Sequence, residues 1–116
     1  MLDKKYIQSV RSDLLSYAQK RREVIKMSGD AQQHAKKAIF ALQRDDKEGG
    51  SERIKLSEGL LLDLNKKFKS DKRLFDEGSY MAALEEYVEA VIFNSYVHGK
   101  PIGKIKGLEV DSDTFV

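Results

Sequence analysis

The chain has 116 residues, 34% of them charged and 41% hydrophobic, with a formal net charge of +2. That length fits one domain, and the balance excludes a disordered chain and makes no overall electrostatic case for a polyanionic partner. There is no Cys, which excludes disulfides and thiolate zinc sites.

No apolar run reaches the roughly 18 residues of a membrane span, and the N-terminus lacks a leader-peptide pattern, so a cytosolic protein without a membrane partner is expected. Charge is unevenly spread. The first 44 residues hold ten Lys/Arg against four Asp/Glu, and the remainder is mildly acidic. The asymmetry hints at one side suited to a polyanion.

The first helix is expected from residue 3 to residue 44. Tyr6, Val10, Leu14, Tyr17, Arg21, Val24, Ser28, Ala31, Ala35, Ala38 and Leu42 recur in steps of three and four, the spacing of one helical face. A second stripe, Ile7, Leu14, Ala18, Ile25 and Ile39, lies beside it. Gly29 and Asp30 offer a possible kink, but an uninterrupted helix is the expectation. It would be about 60 Å long, against a radius of gyration of about 13 Å for a compact 100-residue domain. Such a helix needs equally long partners, which favours an elongated bundle and an oligomer.

Residues 45–51, DDKEGGS, read as a loop in which the Gly pair ends the first helix and Ser51 caps the next. A second helix is expected over residues 52–76, with Ile54, Leu61, Leu64 and Phe68 on its apolar face and Leu60 and Leu74 alongside. Lys66, Lys67, Lys69, Lys72 and Arg73 read as its solvated side. After a DEGS turn, a third helix follows, capped by Ser79, with Met81, Leu84, Val88, Val91 and Ser95 as its seam. Gly99 and Pro101 end it. Residues 1–99 thus form the helical domain, and residues 100–116 read as an extended tail or linker.

The third helix is the most apolar segment, yet it carries Glu85, Glu86 and Glu89. Residues three or four apart share a helix face, so Glu86 and Glu89 point the same way, and Phe93 and Val97 continue that face. Two close carboxylates repel and raise a pKa unless a cation lies between them. Oxygen-only ligation suits Mg²⁺ or Mn²⁺, and such an ion supports phosphodiester hydrolysis. An ordinary helix edge with surface salt bridges is the competing reading. Lys36, Lys37 and Arg44 near the end of the first helix could contact phosphates or simply be solvated. His34 and His98 are isolated and read as surface or packing residues.

The string ALEEYVEAVIF resembles the translin family, and within it the translin-associated factor X branch. That branch has a Q/E-E-Y-V-E-A-V-x-F pattern, matched here from Glu85 to Val91 and at Phe93. SGDAQQHAKKAIFALQR, residues 28–44, is similar to the family's first-helix string, with Gly29 where Arg is common and Gln43-Arg44 in place of His-Arg. The resemblance covers about residues 20–100.

It implies an all-α, elongated antiparallel bundle of three main helices that oligomerises into a shell. It implies RNA or single-stranded DNA as partner and Mg²⁺-dependent (or Mn²⁺-dependent) endoribonuclease chemistry. Glu86 and Glu89 match the metal-binding catalytic acids, and Lys36, Lys37 and Arg44 match the basic end of the first helix. The family continues with further helices, including a D-L-x-G-E-L-like string that supplies another catalytic acid. Nothing in residues 100–116 matches it. A natural short form, a fragment, or half of a protein with a separate C-terminal portion is therefore expected. The alternatives are a non-catalytic nucleic-acid-binding shell protein and a structural helical adaptor.

Overall fold

The computed structural model describes residues 3–75 and 78–99. The described residues are all helix and turn, in the order α1 (Lys4–Gln43), α2 (Lys47–Phe68), α3 (Lys72–Phe75) and α4 (Gly78–His98). The expected tail (residues 100–116), with Pro101, Asp111 and Asp113, and Asp76 and Glu77 of the DEGS turn lie outside the described residues. The shape is a rod of 67 × 24 × 19 Å with a radius of gyration of 17.8 Å, set by the length of α1. None of the described helices is long and apolar enough to cross a membrane.

α1 is unbroken through Gly29. Asp3 caps its start, accepting from the Lys5 N–H. Its end is abrupt. Asp45 takes a left-handed φ of 64°, its N–H donates to the Leu42 carbonyl at 3.1 Å, and the Asp46 N–H donates to the Ala41 carbonyl at 2.9 Å. This pair of bonds satisfies the last carbonyls of α1. Asp46 then caps α2, its Oδ1 accepting from the Gly49 N–H at 2.9 Å.

The expected seven-residue loop is therefore a three-residue turn. Gly49 and Gly50 lie inside the first turn of α2, and Ser51 is not its cap. A Cβ on Gly50 would stand 2.6 Å from Leu42 Cγ, so Gly50 serves close helix approach rather than helix ending.

α2 is also shorter than expected. It stops at Phe68, and α3 follows after a turn at residues 69–71. Asp71 holds that corner, accepting from the Arg73 backbone N–H, Nε and Nη2 at 3.2 Å each. The Arg73 guanidinium lies 4.5 Å from the Tyr17 ring centre. Lys67 pairs with Glu23 and lies over the Phe68 ring, so these two cations join elements instead of only facing water.

Cross-contacts fix the directions. Lys67 meets Glu23, the Ser57 Oγ donates to the Ala31 carbonyl at 2.8 Å, and Arg53 meets His34 at 3.1 Å. As α1 numbers rise, α2 numbers fall, so the pair is antiparallel. Arg73 is beside Tyr17 and Glu86 feels Lys36, so α4 runs back parallel to α1.

The core lies where the three long helices meet. Ala31, Ala35 and Ala38 are fully buried on α1, in one core with the buried Leu61 and Leu64 of α2 and Ala83, Leu84, Tyr87, Val88 and Ala90 of α4. Small residues on the central helix let both neighbours approach closely, which is how a side-chain hydroxyl on α2 reaches a backbone carbonyl of α1. α4 touches both α1 and α2, so its buried face is wider than the expected seam. Tyr80 and Tyr87 are inside it, whereas Met81 is exposed.

The first seam of α1 is only half used. Val24, Ser28, Ala31, Ala35, Ala38 and Leu42 are buried, but Tyr6, Val10 and Leu14 are exposed. α2 and α4 are about 32 Å long, too short to cover a helix nearly twice their length.

Candidate functional site

Glu86 and Glu89 project from the middle of α4. Their one-turn spacing puts the Cβ atoms about 5–6 Å apart. Tyr80, Ala83, Tyr87 and Ala90 turn inward, which sends Glu89 to the opposite, solvent side. Glu86 lies between, half-buried at the α1 edge.

Burial pushes the Glu86 carboxyl above the ordinary carboxylate range. The neighbouring Glu89 charge raises it further, and Lys36 on α1 works in the opposite direction. Glu85 is exposed. Beneath the pair, the Tyr87 hydroxyl donates to Glu58 on α2. Burial first, and then that carboxylate, push the phenol's pKa well up, so Tyr87 stays neutral and pins α4 against α2.

The three basic residues do not form one patch. Lys36 faces the acids. Lys37, one residue later and about 100° around the helix, belongs with His34 and Arg53 on the α2 side. Arg44 is exposed at the end of α1, two turns beyond Lys36 on the same side. His34 accepts from Arg53 Nη1 at 3.1 Å. Burial, with the Arg53 and Lys37 charges, lowers its pKa, and Asp30 opposes this. His98 bonds the Asn94 carbonyl at 2.9 Å. Both histidines have structural partners.

The donor set fits a hydrated hard cation: two carboxylates, oxygen only, with one open side for water. The charge strain at Glu86 is the kind a divalent cation relieves. Among the described residues there is no group of three or more His, Cys, Asp or Glu that could hold a metal. The two acids stand on an open helix face. Two open concavities lie elsewhere, along the free half of α1 and at its junction with the Asp71–Arg73 corner.

The sequence pattern named the two acids. It did not identify Lys36 as the cross-helix charge acting on Glu86, because that proximity depends on the parallel placement of α4. It also passed over Phe40 and Tyr96, which are 57% and 82% exposed. The available signal was their place off the buried stripes, Phe40 on α1 and Tyr96 on α4. Comparison of the chain with protein-family models, curated proteins and solved structures returns no match.

Proposed function

We propose that this chain is a nucleic-acid-binding protein of the translin-associated factor X type, acting on RNA or single-stranded DNA as an oligomer. Its Glu86–Glu89 pair would hold Mg²⁺ (or Mn²⁺) for endoribonuclease chemistry. The observation that carries this reading is the half-buried Glu86 carboxyl, raised by burial and by Glu89, with Lys36 beside it. Perturbed acids with a named charge partner are functional candidates.

Glu86 and Glu89 supply the negative oxygens, and Lys36 and Arg44 supply positive charge for the phosphates on either side. Bound there, the cation would activate a water and neutralise charge developing on the phosphate. The bare apolar stripe from Tyr6 to Leu14 supports the oligomer. A second reading, binding without cleavage, is favoured by the open placement of Glu89, with no group of three or more possible metal ligands among the described residues.

The test combines chemistry with stability. Single-stranded RNA is incubated with Mg²⁺ and the parent, Glu86→Ala or Glu89→Ala chain. The metal reading expects cleavage by the parent alone; cleavage surviving both substitutions sinks it. Binding without cleavage selects the second reading, and no binding at any salt concentration rejects both. Thermal midpoints give an independent readout. A carboxyl whose pKa is raised by folding costs stability as pH rises through the folded value. Glu86→Gln should therefore raise the midpoint near neutral pH, and Mg²⁺ should raise the parent's midpoint and not the variant's.

A further inference from the structure

Two lines of residues run side by side from the acid pair toward the α1–α2 turn. On α1, Lys36, Phe40 and Arg44 follow at four-residue steps, so cation, aromatic and cation share one side of the helix. On α4, Glu89 and Tyr96 are seven residues apart, two turns and about 10 Å along the same side, with half-buried Phe93 between them. Because α1 and α4 run in the same direction, Phe40 and Tyr96 both lie beyond the level at which the Lys36 charge acts on Glu86. Phe40 is 57% exposed and Tyr96 82% exposed.

Rings this open contribute little to the core. Aromatic rings usually stabilise a fold by being buried, and neither ring is buried among the described residues. Their setting is not purely apolar either: Lys36 and Arg44 share the Phe40 side of α1, and Glu89 shares the Tyr96 side of α4. Exposed aromatics interleaved with cations suit unpaired bases, whose faces stack while the backbone meets the positive charges. Paired bases stay stacked on one another inside a duplex and leave such rings without a partner.

We propose that Phe40 and Tyr96 form a base-stacking platform for single-stranded nucleic acid, with Lys36 and Arg44 taking the flanking phosphates. The platform rests on the nucleic-acid reading above and assigns it a strand type and a direction of approach, from the acid pair toward the end of α1.

The experiment measures binding of a single-stranded oligoadenylate, with and without one abasic nucleotide, and of the matching duplex, over a range of salt concentrations. Tyr96→Ala should weaken single-strand binding roughly tenfold, the scale of one lost stack, and leave the salt slope unchanged. Tyr96→Phe should retain binding. Lys36→Ala and Arg44→Ala should instead flatten the slope. The abasic strand should lose affinity with the parent and lose little more with Tyr96→Ala. Parent-like binding by both Tyr96→Ala and Phe40→Ala, or tighter binding of the duplex, overturns the platform and leaves nucleic-acid binding standing. No binding of any strand by the parent overturns both.

Discussion

The two halves of α1 carry the same periodicity and meet different fates. From Val24 to Leu42 the stripe is buried between α2 and α4; from Tyr6 to Leu14 it is exposed along one side of a projecting helix. The residues differ in size as well. The packed half uses Ala31, Ala35, Ala38 and Ala41, and the free half carries Tyr6, Ile7, Val10, Leu14 and Leu15. Small residues suit a helix gripped closely from two sides. Large ones suit a looser or wider contact. Periodicity says which face of a helix wants to be covered, and the length of the neighbouring helices says whether it is.

The largest expected effect separates these halves directly. Leu61→Ala opens a cavity against the packed half of α1 and should cost about 2–5 kcal/mol in denaturant unfolding. Leu14→Ala, on the free half, should change stability by no more than about 0.5 kcal/mol at low protein concentration. Equal costs would break the comparison. A Leu14→Ala cost that grows with protein concentration would sharpen it, because assembly would then be covering the stripe.

Glycines give a smaller contrast. Gly50→Ala drives a methyl against buried Leu42 and should cost about 1–3 kcal/mol. Gly29 has open space where a Cβ would stand, so Gly29→Ala should stabilise by about 0.5–1 kcal/mol through helix propensity. Chemical denaturation midpoints of the two variants should move in opposite directions. Loss of stability in Gly29→Ala would point to close packing at the middle of α1.

The smallest effect is a pH dependence in the packed half. Folding lowers the His34 pKa from its ordinary 6.5, by burial and by the nearby Arg53 and Lys37 charges. As pH falls, the unfolded chain takes up this proton first. The folded state therefore loses stability as pH drops through about 6.5, and the loss levels off below the folded value. His34→Gln should remove this component from a pH series of thermal midpoints. An unchanged series would show that folding does not lower the His34 pKa.

Helix positions, the buried stripe of α2 and the end of α4 at Gly99 were legible because periodicity and a left-handed glycine are local signals. The turn after α1 was misread because Gly-Gly looks like a helix stop. Here Asp45 takes the left-handed position and Asp46 caps the next helix, which frees Gly50 to meet Leu42. Leu74 extends the apolar spacing of α2 toward residue 76, whereas the Asp71–Arg73 contact sets a corner after Phe68. In the candidate site, the pairing of Glu86 with Glu89 followed from spacing. The split between Lys36 and Lys37 did not, since adjacent residues diverge by about 100° and only the neighbouring helices determine what each faces.

The sequence by itself determined an elongated helical chain with an acid pair on its third long helix, because a repeat of three and four residues is written in one dimension. Tertiary structure decided how much of α1 is covered, which acid is half-buried, which lysine meets it and which aromatic rings are left in the open. Those outcomes depend on where α4 lies against α1. That placement comes from two helices of unequal length sharing a seam of alanines, a relation between segments that no local pattern contains.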